Sequence, residues 1–75
     1  MNKRIIGYAC GVFDLFHIGH VRLIQKAKSQ CDYLIVGLST DELAKSKGKA
    51  PYYCYEDRKE ILLSTKFVDE VVEQT

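Results

Sequence analysis

Ten residues, Gly11-Val12-Phe13-Asp14-Leu15-Phe16-His17-Ile18-Gly19-His20, stand between two segments of different periodicity and constrain this 75-residue chain more than any other stretch. Before them, Arg4-Ile5-Ile6-Gly7-Tyr8-Ala9-Cys10 is an apolar run of strand length. After them, Val21-Arg22-Leu23-Ile24-Gln25-Lys26-Ala27-Lys28 has the spacing of an amphipathic helix. The two histidines therefore fall where a strand turns into a helix N-terminus. Such a terminus offers unpaired backbone N–H groups and the positive end of the helix dipole, a natural seat for phosphate. Imidazoles there can donate to phosphate oxygens, and Gly19 lets backbone and ligand approach without an intervening Cβ.

Apolar strands alternate with helices along the rest of the chain. The patterning predicts strands over Arg4–Cys10, Tyr33–Leu38 and Phe67–Glu73, the last mostly Val68 to Val72. It predicts helices from Gly19 to Gln30, over Asp41–Lys47 with Thr40 as cap, and over Tyr55–Thr65. On the first helix His20, Leu23, Ile24, Ala27 and Cys31 share a face, while Lys26 and Lys28 point to water. Gly48 fits the end of the second helix, and Lys49–Cys54, with the only proline, reads as a loop. Tyr33–Leu38 is continuously apolar, as expected of a strand covered on both faces. Right-handed crossovers then give a three-stranded parallel sheet in the order 3-2-1, an α/β fold equal to half of a doubly wound domain.

Composition narrows the class. A formal net charge of +1 gives no global field toward nucleic acid or membrane, and no apolar stretch approaches a membrane span. Only a strand-length apolar run follows the basic Met1-Asn2-Lys3-Arg4, so no signal peptide is expected. Cys10, Cys31 and Cys54 lack C-x-x-C spacing, which argues against a disulfide framework or a zinc site and for reduced thiols in the cytoplasm. A domain this short buries only about 60% of its unfolded surface.

The decapeptide resembles the HxGH element of the cytidylyltransferase-like, Rossmann-like (HUP-type) nucleotidyltransferases, and is most similar to the glycerol-3-phosphate cytidylyltransferase family. The likeness continues in register through Cys31–Glu42, the basic loop Lys45-Ser46-Lys47-Gly48-Lys49, Tyr55-Glu56-Asp57-Arg58-Lys59 and Phe67–Val72. It implies transfer of a cytidylyl group from CTP to an alcohol phosphate such as glycerol 3-phosphate, with Mg²⁺ accompanying CTP and no resident metal. CDP-glycerol for teichoic or capsular polymers is the implied product. Gly11, Val12, Phe13, Asp14, His17, Gly19 and His20 would bind the nucleotide. His17, His20, Lys47 and Arg58 would be catalytic, and Lys47, Lys49 and Arg58 would meet the substrate phosphates.

Each assignment has a structural counterpart. A histidine here can be a helix cap or a core residue. Asp14 can orient a histidine or a metal-bound water, or brace the turn. Lys47 and Lys49 can be solvated charges, Arg58 can pair with Glu56 or Asp57, and Tyr52, Tyr53 and Tyr55 can be packing residues or walls of an acceptor pocket. Val12 stands where many relatives have threonine, and Lys66 where close relatives use arginine. The resemblance covers the N-terminal half of the family domain; the later half adds a phosphate-gripping motif and pairs a fourth strand with strand 1. With that edge bare, pairing of two copies across strand 1 is expected. The alternatives are an adenylyl- or other nucleotidyltransferase with another acceptor, and an inactive half-domain that serves assembly. A class I aminoacyl-tRNA synthetase shares the histidine signature but not the downstream register.

Overall fold

The computed structural model describes residues 4–48 and 50–75. In chain order these form β1 (Ile6–Gly11), α1 (Ile18–Ser29), β2 (Tyr33–Ser39), α2 (Asp41–Ser46), α3 (Tyr55–Leu63) and β3 (Glu70–Gln74). The sheet is parallel with β2 in the middle; Tyr8 lies opposite Ile35 and Gly37 opposite Val72. The Rossmann-like order expected from the alternating pattern is the one observed.

Alternation along β2 sends Leu34, Val36 and Leu38 to one face, where they form the core with Ile24 of α1, Leu62 of α3, Phe13, Tyr55 and Val68. Two right-handed crossovers stepping the same way across a sheet put their helices on the same side. The opposite face accordingly carries Ile6, Tyr8 and Cys10 of β1 in exposed positions. The expectation that β2 is covered on both faces is therefore corrected: among the described residues it is covered on one. Tyr8 lies across the open face, and its hydroxyl occupies the space a Cβ at Gly37 would need.

Other differences have local causes. Leu23 is exposed, because Ile24, Ala27 and Cys31 already fill the contact between α1 and the sheet. Lys28 turns from water to Asp69 at 2.5 Å and to the Asp32 carbonyl at 2.9 Å. Asp69 also accepts the Leu34 N–H at 2.8 Å, so Phe67–Asp69 crosses the sheet edge as a connector and β3 begins at Glu70. Ser64 and Thr65 fold their hydroxyls onto the Ile61 and Leu62 carbonyls, ending α3 before Thr65. Thr40 caps α2 through the Leu43 N–H, and Gly48 lies beyond its end at φ +89°.

Arg58 is the largest wholly buried side chain. Its Nε donates to the Tyr53 carbonyl at 3.0 Å, and Nη1 to the Val12 and Ser39 carbonyls at 3.0 and 2.8 Å. Nη2 meets Asp41 Oδ1 at 2.6 Å. These partners lie just past β1, at the end of β2, at the start of α2 and just before α3. The expectation that Arg58 grips a substrate phosphate, or pairs with Glu56 or Asp57, is corrected: the guanidinium is consumed by the protein. Replacing it orphans three carbonyl acceptors and strands Asp41. Arg58→Met is expected to cost about 3–5 kcal/mol in chemical denaturation, enough to unfold much of so small a domain. A midpoint unchanged from the parent would show that the clamp is dispensable.

Candidate active site

The sheet's C-terminal edge, where α1 begins, is the place where open α/β folds bind ligands. His17 is the N-cap of α1: its backbone is extended, and its Nδ1 accepts the Gly19 N–H at 3.0 Å. His20, in the first turn, returns the favour, with Nδ1 accepting the His17 N–H at 3.2 Å. This is a capping box built from two imidazoles instead of Ser and Glu. The rings stack with centroids 3.9 Å apart. Phe13 meets His20 edge-on and Phe16 lies along it, each at 5.4 Å.

A neutral imidazole has one donor and one acceptor nitrogen. Because both Nδ1 atoms accept backbone N–H groups, both rings are fixed as the tautomer protonated at Nε2. The helix terminus thus presents two Nε2–H donors, with orientation set by the backbone. Capping, one of the readings open in the sequence, is carried by the Nδ1 atoms, and it leaves the opposite nitrogen of each ring out of the cap. Gly19 makes room for this arrangement, since a Cβ there would stand 2.7 Å from the His17 ring.

Asp14 faces the other way. Its two carboxylate oxygens accept the N–H groups of Tyr52 at 2.7 Å and Tyr53 at 3.0 Å. Partial burial works to raise its pKa, but the Tyr52, Tyr53 and Leu15 N–H groups and the Arg58 charge outweigh it and hold the carboxyl below its ordinary value. Of the readings open in the sequence, bracing is the observed one. Phe13 and Leu15 on either side have φ of +51° and +49°, left-handed backbone that non-glycine residues seldom adopt.

Val12, Phe13, Asp14, Leu15 and His20 on one side, with Ala50, Pro51 and Tyr52 on the other, enclose an open cleft of about 640 Å³. The sequence-predicted Gly11 ends β1 beneath it, packed against the Phe13 ring. Lys47 is the exposed C-cap of α2 and is not part of the lining, and Lys49 lies outside the described residues. Arg58 stands behind the cleft as a buried brace. Tyr55 is packed in the core, whereas Tyr52 is 81% exposed. Pro51, read only as loop in the sequence, and Tyr52, open there as packing or as an acceptor-pocket wall, both line the cleft.

Among the described residues, no group of three or more His, Cys, Asp and Glu side chains gathers to hold a metal ion. Asp14, the carboxylate of the cleft, already has both oxygens engaged. These residues form no cage for a resident Mg²⁺.

The site is thus a histidine-capped first helix at the C-terminal edge of a parallel α/β sheet. The family model for cytidylyltransferase-like proteins matches residues 8–75. The chain is 49% identical over 70 residues to glycerol-3-phosphate cytidylyltransferase of Bacillus subtilis (strain 168), covering 93% of this chain and 53% of that protein. It is 43% identical over 72 residues to an FAD synthase of Pyrococcus abyssi, covering 95% of this chain and 49% of that one. Its backbone matches the crystal structure of a lipopolysaccharide core biosynthesis protein from Thermoplasma volcanium GSS1 with a TM-score of 0.93 at 30% identity, over 97% of this chain and 60% of that one. The chain belongs to the cytidylyltransferase-like family, and it spans about half the length of the curated relatives it matches.

Burial, with help from the neighbouring His17 and against the pull of Asp14, lowers the His20 pKa from 6.5. A folded-state pKa below the unfolded one contributes stability that is fully present above about pH 6.5 and is lost as pH falls toward the folded value. Nitrogen-15 NMR should find both imidazoles protonated at Nε2 at pH 7.5, with His20 titrating below 6.5. An Nδ1-protonated ring would contradict the capping box. Gly19→Ala should displace the His17 ring and cost about 0.5–2 kcal/mol through loss of the cap.

Proposed function

We propose that this chain supplies the phosphate-binding part of a nucleotidyltransferase that joins CTP to an alcohol phosphate, glycerol 3-phosphate being the first candidate. The products are a CDP-alcohol and pyrophosphate. The observation that carries the reading is the imidazole capping box, which engages both Nδ1 atoms with backbone N–H groups and leaves the Nε2–H groups of His17 and His20 as donors at a helix N-terminus. An acceptor phosphate oxygen attacks the α-phosphorus in line; the bond from the α-phosphorus to the bridging oxygen breaks, and pyrophosphate leaves with that oxygen. A phosphate dianion is already nucleophilic at pH 7, so no general base is needed. Nucleotidyl transfer depends chiefly on positioning and on charge stabilisation. His17 and His20 donate to the α-phosphate region as negative charge builds. Lys47 and Lys49, on either side of Gly48 in the sequence, neutralise the outer phosphates, and Mg²⁺ arrives with CTP.

The similarity to an FAD synthase favours a second reading, adenylyl transfer through the same histidines. Competition between CTP and ATP separates the two. The three free cysteines suit the cytoplasm, and no helix among the described residues is long and apolar enough to cross a membrane. The acceptor chemistry of the glycerol-3-phosphate relatives supports a role in supplying CDP-glycerol to teichoic-type polymers.

We also infer that the 75-residue chain, taken by itself, pairs with a second copy across β1. Its outer edge has no strand partner among the described residues, and Ile6 and Tyr8 beside it are 61% and 59% exposed. Its range Ile6–Gly11 holds no charge or proline to discourage pairing, whereas β3 carries Glu70 and Glu73.

Two experiments test these proposals. His17→Ala should lower turnover of CTP and glycerol 3-phosphate by about 10² or more; turnover equal to the parent would refute the mechanism. Sedimentation at micromolar concentration should give a dimer that Tyr8→Lys dissociates, and a parent that sediments as a monomer would sink the pairing.

A further inference from the structure

Tyr52 is the most exposed of the large apolar side chains and yet stands on firmly held backbone. Its own N–H is bound by Asp14 Oδ2 at 2.7 Å, and the next N–H by Asp14 Oδ1 at 3.0 Å. The next carbonyl, that of Tyr53, accepts from the buried Arg58. Pro51 before it fixes one more backbone angle. An aromatic side chain that packs on nothing ordinarily sits on a mobile loop, where ordering it brings no gain. Here the protein orders the backbone at a residue that lines the cleft and leaves its side chain exposed.

The cleft lining is mixed. His20 and Asp14 are its polar side chains, and His17 stands outside the lining at the helix terminus. Leu15, itself 46% exposed, faces Ala50, Pro51 and Tyr52 across it. A ligand whose phosphate is held at the histidines would extend its organic part along this wall. A tyrosine offers a carbon or sugar skeleton a flat apolar face and one hydroxyl for hydrogen bonding, at little entropic cost once its backbone is fixed.

Resting on the nucleotidyltransferase reading, we propose that Tyr52 is the ligand-contacting residue for the organic moiety of a phosphorylated substrate, with Asp14 as the positioning residue that holds it over the histidine cleft. The moiety is a hydroxylated carbon skeleton, either the nucleoside of CTP or the alcohol of the acceptor. Asp14 works through the backbone, so the two residues have separable effects: Tyr52 acts on affinity alone, Asp14 on affinity and on loop order.

The test combines binding and amide exchange on the full chain. CTP with Mg²⁺ and glycerol 3-phosphate are titrated separately by calorimetry into the parent, Tyr52→Ala, Tyr52→Phe and Asp14→Asn. Tyr52→Ala should weaken one of the two ligands about tenfold, corresponding to roughly 1.4 kcal/mol of lost contact, while Tyr52→Phe retains most of the affinity. The ligand affected identifies the moiety. Asp14→Asn should weaken the same ligand and speed hydrogen exchange at the Tyr52 and Tyr53 amides about tenfold or more, a change that Tyr52→Ala does not produce at Tyr53. Binding of both ligands unchanged in Tyr52→Ala overturns the assignment of Tyr52. Amide exchange unchanged in Asp14→Asn overturns the positioning role, whatever the ligand does. A parent that binds neither ligand, with the amide result as expected, refutes the functional reading and removes the Tyr52 assignment with it.

Discussion

A buried guanidinium holds this fold together at the edge where its function lies. Parallel strands end in carbonyls that no neighbour continues, and burying such groups unpaired costs about 1–3 kcal/mol each. Arg58 meets the problem at two strand ends, taking the carbonyls of Val12 and Ser39; it also takes the Tyr53 carbonyl before α3 and balances its charge on Asp41. A buried cation is tolerable only when its donors are used and a counter-ion stands near. The requirement therefore runs both ways: the arginine needs these four segments in place, and the segments need the arginine.

Asp14 completes the arrangement with the opposite polarity. Where Arg58 donates to carbonyls of the Val12 and Tyr53 segments, Asp14, two residues from Val12, accepts N–H groups of Tyr52 and Tyr53. The two loops that flank the cleft are thus joined by a cation behind and an anion in front. Charge-assisted hydrogen bonds of this kind are about twice as strong as neutral ones. Such bonding can sustain the left-handed backbone at Phe13 and Leu15, which costs on the order of 1–3 kcal/mol at each residue. Strain on both sides of Asp14 aims its carboxylate across the cleft, while the same turn delivers His17 to the start of α1.

What could be read from the sequence was whatever depends on neighbours along the chain. Strand and helix identities, the Thr40 cap, the end of α2 near Gly48 and the seating of His17 and His20 at a helix terminus all follow from local pattern. The fate of Arg58 did not, because its partners lie as far away as Val12 and no local feature marks a charged residue for the core. The same holds for Lys28, drawn to Asp69, and for β3, whose start waits on that aspartate's second bond to Leu34. β2 looked covered on both faces since Ile35 and Gly37 continue its apolar run. Tyr8, laid over Gly37 from the neighbouring strand, supplies part of that cover instead of a helix.

The same distinction divides the cleft. Its phosphate end is a local device: one turn of chain from Asp14 to His20 contains the cap, the stacked rings and the glycine that makes room for them. Its other wall is non-local, since Ala50, Pro51 and Tyr52 come to line the same cleft as Leu15 only because Asp14 and Arg58 hold the second loop against the first. A ten-residue motif can therefore announce the class of chemistry, a phosphate held at a helix terminus by two oriented donors, without announcing what the phosphate is attached to. That second question is decided where two distant stretches of chain meet. Exchanging the side chains at 50–52 would change the wall while leaving untouched every hydrogen bond that orients the histidines.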